Sequence, residues 1–164
     1  MSIRINSIGP QSINNSINFN SMNLNHLTSL YIGDRISNDN KALLLKNIDD
    51  ITNLELLKKL FFKAIAQSDL LLVSALVNTQ KIDINIVDEI GCTALFYSTE
   101  ENNIELTDFL LQNKAKVNIK NNFDDTPLMF ASIHSSEVIL EKLLFADWSN
   151  NSYMFLLIAP FFSL

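Results

Sequence analysis

The sequence predicts an all-α fold: a solenoid of helix-turn-helix units joined by short hairpin loops and preceded by a largely disordered N-terminal segment. Three observations carry this. The stretch GCTALFYSTEENNIELTDFLLQNKAKVN, residues 91–118, meets a similar stretch, DDTPLMFASIHSSEVILEKLLFADWSNN, when shifted by 33 positions. A fixed period of about 20 to 50 residues is the mark of stacked repeats. From Lys41 onward apolar residues recur near helical spacing, whereas residues 1–40 are rich in Asn and Ser with only scattered aliphatics. With 164 residues, 48% hydrophobic and 18% charged, the chain has the composition of one globular unit.

In chain order, residues 1–40 are interrupted at Gly9-Pro10 and Gly33-Asp34. Their Asn and Ser side chains compete for backbone hydrogen bonds, and isolated aliphatics make no wide stripe, so an extended or disordered leader is predicted. Residues 41–57 form an N-terminal helical cap. Leu43, Leu44, Ile48, Ile51, Leu54, Leu57 and Leu60 fall near a 3.6-residue spacing, broken around Asp49 and Asp50. Asp50 or Thr52 is expected to cap the helix that follows.

Residues 58–87, 88–120 and 121–153 are then three repeats. In the last two, Thr93 lands on Thr126, Leu95 on Leu128, Ser98 on Ala131, Leu106 on Ile139, Leu110 and Leu111 on Leu143 and Leu144, and Asn118 on Asn151. The first repeat is degenerate. With one residue inserted near Thr79, Phe61 takes the place of Leu95, Ala64 of Ser98, Leu72 of Leu106, Leu76 and Val77 of Leu110 and Leu111, and Asn85 of Asn118. Ala64, Ser98 and Ala131 are expected where first helices approach closely. The pairs Leu110-Leu111 and Leu143-Leu144 are expected to face the layer between repeats. Since no unit covers its own apolar face, the units hold one another.

Residues 154–164 are apolar, and Ala159-Pro160-Phe161 stands one period after Thr126-Pro127-Leu128. Three readings fit: a tail folded over the last repeat, a sticky surface used for a partner or for self-association, or a repeat shortened relative to a longer relative. The segment is too short to span a bilayer, which needs about 20 apolar residues, so no integral membrane segment is expected.

The 33-residue period and the run DTPLMFA at residues 125–131 mean that the chain resembles the ankyrin-repeat family, whose units open on T-P-L-H-x-A. The resemblance spans about residues 58–147. The sequence departs from the pattern at Phe96 and Met129, where the family carries His, and at Ala94, where it carries Pro. The inter-helix Gly is replaced by Asn102 and Ser135, and the late Gly by Lys114 and Asp147. Asn and Asp reach positive φ more readily than Ser or Lys, so the implied fold is an ankyrin solenoid of below-average stability.

The resemblance also implies a use, in which hairpin tips and first helices line a concave face that grips another protein. Carried over by position, it nominates Glu89, Ile90, Cys92, Glu100 and Glu101 in the middle repeat, and Asn122, Phe123, Asp125, Ile133 and His134 in the next. The alternative for Phe123 is that it folds back onto the neighbouring hairpin.

Charge and chemistry narrow the rest. Residues 88–164 carry four Lys or Arg against eleven Asp or Glu, while residues 1–87 carry eight against seven. Nucleic acid and anionic membranes select clustered cations, so neither is an expected partner; a basic or polar protein suits the acidic half better. Cys92 is the only cysteine, which rules out an internal disulfide and a thiolate metal cage, and no cofactor or metal fingerprint is present. His26 and His134 read as surface histidines, and the pairs Glu100-Glu101 and Asp124-Asp125 as solvated charges. An interaction module rather than an enzyme is expected, with an enzyme fragment or non-catalytic remnant of a larger ankyrin-containing enzyme as the alternative.

The first 20 residues lack the run of about 7 to 15 apolar residues that marks a Sec signal, so a cytoplasmic protein is expected. A Ser/Asn/Ile-rich leader ahead of a compact interaction module also resembles bacterial effectors exported through needle-type machinery into a host cell. If the leader acts this way, residues 1–30 fused to a reporter carry it out of the cell without Sec; a wholly intracellular reporter rejects the idea.

Overall fold

Helix boundaries in this chain are set mostly by short polar caps. The computed structural model describes residues 23–150, with side chains through Asp147. These residues form α1 (Leu24–Ile32), α2 (Asn38–Lys46), α3 (Leu54–Ala66), α4 (Leu70–Asn78), α5 (Ala94–Glu100), α6 (Ile104–Gln112), α7 (Pro127–His134) and α8 (Glu137–Asn150). Among the described residues a 3-10 turn lies at Ile48–Asp50. Seven N-caps use a side-chain oxygen to accept the backbone N–H two or three residues on: Asn23, Ser37, Asn53, Asp69, Thr93, Asn103 and Thr126. The cap of α3 is thus Asn53, which accepts from Leu56 N at 3.0 Å, and not Asp50 or Thr52, which precede the point where the chain turns helical. α3 runs unbroken from Leu54 to Ala66, across the expected junction of cap and first repeat at residue 58.

The described helices pair as α3–α4, α5–α6 and α7–α8, and α1–α2 adds a fourth pair. First helices stack in the order α1, α3, α5, α7. The predicted disorder of residues 1–40 therefore does not hold from Asn23 onward; residues 1–22 lie outside the described residues. Leu24, Leu27 and Tyr31 make a stripe too narrow to stand alone, but Leu27 and Tyr31 are fully buried once α3 lies beneath them. The turn that closes α1 repeats the backbone pattern of the later units. Asp34, Ser68 and Asn102, 34 residues apart, each take a left-handed conformation with φ of 58°, 52° and 52°. The N–H groups of Arg35, Asp69 and Asn103 return to the carbonyls of Leu30, Ala64 and Ser98 at 2.9 Å each.

Ser135, the next in this series, is extended at φ −96° and ψ 168°. Its hydroxyl instead donates to Thr99 O at 2.9 Å, while the Asn102 side chain accepts from Ser136 N at 3.0 Å. Lys114 does occupy the left-handed region at φ 69°. Asp147 does not repeat that turn, because α8 runs on to Asn150.

Packing follows the small-residue and aliphatic positions. Ala64, Ser98 and Ala131 are buried where first helices approach, and Leu76, Leu110 and Leu143 fill the core. The second member of each predicted Leu pair is different: Leu111 is half-buried and Leu144 half-exposed, since successive residues on a helix point about 100° apart. The levels are also tied by polar bonds. Asn103 donates to Ser68 Oγ at 2.9 Å, the Asn85 side chain accepts from Lys116 N at 2.8 Å, and Lys142 pairs with Asp108 at 2.7 Å.

The α1–α2 pair is fastened through Asp69. Its carboxylate accepts from the Tyr31 hydroxyl at 2.7 Å, pairs with Lys41 at 2.5 Å, and caps α4 through Leu72 N at 3.3 Å. Burial pushes this carboxyl upward, but the bonds from Lys41, Tyr31 and Leu72 outweigh it and hold the group below its ordinary value. The same contact, after burial itself, raises the Tyr31 hydroxyl well above its usual range.

A carboxylate depressed in the folded state stabilises fully above its unfolded pKa of about 4, and that contribution fades as pH falls through the folded value. Asp69→Ala should therefore cost roughly 1 to 3 kcal/mol at neutral pH in urea unfolding, from the lost cap and the stranded Tyr31 and Lys41. The difference in stability between the parent and Asp69→Asn should shrink below about pH 4. An Asp69→Ala curve superimposable on the parent would show that the α1–α2 pair is not held here.

Candidate functional site

Two hairpins precede α5 and α7, and each is built on an Asx turn. Asp88 Oδ1 accepts from Ile90 N at 3.0 Å and Cys92 N at 2.9 Å, while Asp88 N donates to Cys92 O at 3.0 Å. One period later Asn121 Oδ1 accepts from Phe123 N at 2.9 Å and Asp125 N at 3.0 Å, with Asn121 N on Asp125 O at 2.9 Å. A five-residue turn of this kind needs one left-handed residue, supplied by Gly91 at φ 79° and by Asp124 at φ 67°. The residue before it is thrown to the apex. Ile90 is 45% exposed and Phe123 70% exposed, so Phe123 does not fold back onto the neighbouring hairpin.

The tips are fixed to each other. Asn122 N donates to Ile90 O at 2.9 Å, and the Asn122 side-chain amide donates to Glu89 O at 3.2 Å. A Cβ on Gly91 would stand 2.7 Å from Asn122 Oδ1 and 3.0 Å from Asn122 N, so only glycine admits this approach. Ile90 and Phe123 are thereby placed on adjacent tips, with the exposed side chains of Glu89 and Asn122 at the same level.

The other nominated residues are distributed differently. Glu100 and Glu101 are exposed at the C-terminal end of α5, and Ile133 (76% exposed) and His134 stand in the equivalent place on α7. These four lie at the end of the first helices opposite the tips, about 10 Å away along a seven-residue helix. His134 stacks at 4.5 Å on Phe130, which in turn lies 5.0 Å from Phe96. Asp125 is half-buried and serves the hairpin through its backbone.

Cys92 is buried and cannot meet a partner in the folded protein. Burial raises its thiol; the Asn121 amide at 3.7 Å pulls it down, and Asp88, Glu100 and Asp125 raise it further. The thiol stays protonated and unreactive at neutral pH. The sequence reading placed it on the hairpin by position alone, and a hairpin strand alternates outward and inward residues.

Tyr97 was missed. Its hydroxyl donates to Asp88 Oδ2, bracing the first tip, and its ring meets Phe62 edge-on at 6.2 Å. Burial, then the Asp88 carboxylate, raises this hydroxyl above its usual range. The only trace in the sequence is an aromatic nine residues after an Asp, which is not a signal without the fold. Met129, which stands where the family carries His, is half-exposed on α7.

Two open grooves, of about 450 and 470 Å³, lie along α6, α8 and the connection after α6, away from the tips. Neither is lined by a histidine or cysteine. Among the described residues no group of three or more His, Cys, Asp or Glu is placed to hold a metal ion. Among the same residues no helix is long and apolar enough to cross a membrane.

A family model for ankyrin repeats, in three copies, matches residues 60–152. No curated protein matches the chain. The match spans more than half of the sequence and coincides with the stacked pairs α3–α4, α5–α6 and α7–α8; the chain belongs to the ankyrin-repeat family.

Proposed function

We propose that this protein binds another protein through the acidic concave side of the repeat array, with Ile90 and Phe123 as apolar anchors. Ankyrin repeats generally serve as protein–protein interaction modules, and the family is typically non-catalytic. The observation that carries the reading is the lock between hairpins: Asn122 bonded to the Ile90 and Glu89 carbonyls presents two large apolar side chains on adjacent tips without further ordering. Preorganised apolar groups bind more tightly because little side-chain and loop freedom is lost on association.

Acidic groups stand at both ends of α5, Glu89 beside the anchors at the tip and Glu100 and Glu101 about 10 Å away at the far end. With Ile133 and His134 on α7, they favour a partner that offers an apolar residue flanked by Lys or Arg. A steered encounter of this kind weakens as salt rises. Action inside a host cell would rest on the composition of the leader, of which residues 1–22 lie outside the described residues.

Ile90→Asp combined with Phe123→Asp should lower affinity for a partner captured by the parent protein at least about 30-fold, the scale of one interface hot spot. Both side chains are exposed, so helical content and melting midpoint should stay the same. Partners that bind the double variant as tightly as the parent would reject the tips as the contact surface.

A further inference from the structure

The four levels of the stack carry equivalent residues whose burial differs at the last level. On the first helices, Thr28, Phe62, Phe96 and Met129 are equivalent, as are Tyr31, Ile65, Thr99 and Ser132. Thr28, Tyr31, Ile65, Phe96 and Thr99 are buried and Phe62 is half-buried; Tyr31 bonds Asp69, Phe62 meets Tyr97, Phe96 meets Phe130 and Thr99 O accepts from Ser135, each a residue of the level that follows. Met129 is 51% exposed and Ser132 is exposed. On the second helices, half-buried Leu111 has its equivalent in Leu144, which is 50% exposed. The side of α7 and α8 that continues the stack thus presents the same kind of surface that every earlier level covers.

We propose that the apolar residues of segment 153–164 cover this end face, seating on Met129, Ser132 and Leu144, as a strap and not as another repeat. Fourteen residues follow Asn150, and residues 153–164 carry no charge. Extended, fourteen residues reach roughly 45 Å, about twice the length of the 14-residue α8 that they follow, so the segment spans the whole face.

Another repeat is disfavoured by α8 itself. α6 ends at Gln112 and turns left-handed at Lys114, whereas α8 passes the equivalent Phe145 and Asp147 and continues to Asn150. The left-handed turn that follows α6 at Lys114 is therefore not repeated at the equivalent Asp147. The groove between α6 and α8 is a poorer seat, because the charged pair Asp108–Lys142 and Glu141 line it.

A second copy of the chain could also bring apolar surface. Tethering decides against it: a segment joined directly to α8 acts at an effective concentration on the order of millimolar, far above an ordinary protein solution.

The test places a nitroxide spin label on Ser163→Cys in a Cys92→Ser background, which keeps an acceptor for the Asn121 amide. Methyl signals are read in the full-length protein. The strap predicts strong broadening of the Met129 and Leu144 methyls with Leu76 unaffected. That broadening should persist on tenfold dilution and be absent from a mixture of spin-labelled and isotope-labelled chains. Leu144→Asp in the spin-labelled chain should relieve the broadening at Met129. Broadening seen only in the mixed sample would assign the face to a second copy and overturn the proposal. No broadening in either sample, or broadening at Met129 that survives Leu144→Asp, would overturn it too.

Discussion

Each helix pair in this protein has more apolar surface than it can bury by itself, and the layer between successive pairs is where the surplus goes. The residues that fill that layer need not be alike. At one position of the first helix the occupants are Thr28, Phe62, Phe96 and Met129, and at another Tyr31, Ile65, Thr99 and Ser132. What persists through the first three levels is the burial, shared between a helix and the next, so stability is a property of neighbours and not of single units. Phe96 shows the exchange most clearly. It stands where the family carries His, and the polar tie that His would make gives way to a stack of Phe96, Phe130 and His134 reaching across two levels.

The same layer imposes backbone conformations that the residues would not choose. With only three glycines in the chain, left-handed geometry falls on Asp34, Ser68, Gln80, Asn102, Lys114 and Asp124. Each such residue costs on the order of 1 kcal/mol, less for Asn and Asp, whose short polar side chains suit this region. Several are held by what surrounds them. Asp34 is bound by Lys63 at 2.7 Å, Ser68 accepts from Asn103 at 2.9 Å, and Asn102 accepts from Ser136 at 3.0 Å. A turn in one level is thus secured by a side chain or a backbone N–H of the next. Glycine is kept at Gly91, where positive φ and contact with Asn122 coincide and no side chain fits.

This construction bears on binding. The spacing between Ile90 and Phe123 is set by the bonds that the Asn122 backbone and side-chain amide donate to the neighbouring hairpin, and the first hairpin is braced from below by Tyr97 on Asp88. The tips inherit the rigidity of the stack, and loss of any level would loosen them. The α1–α2 pair protects the start of that stack by covering α3, fastened at Asp69.

The sequence by itself determined the class of fold and the register of its units. The 33-residue correspondence fixes which residues are equivalent, and helical spacing fixes which of them are apolar on one side. It also pointed to Ile90 and Phe123 as apex residues, because position within a hairpin follows from the period. It did not reveal the α1–α2 pair. Leu24, Leu27 and Tyr31 among Asn and Ser give no wide stripe, and two extra residues between Asp34 and the Ser37 cap break the motif that the later turns share. Nor could it place Cys92 inside, seat Leu144 outside, or join Tyr97 to Asp88. Those outcomes depend on which side of a helix or hairpin meets a neighbouring level, and that is settled only when the levels stack, since burial there is a relation between residues far apart in the chain.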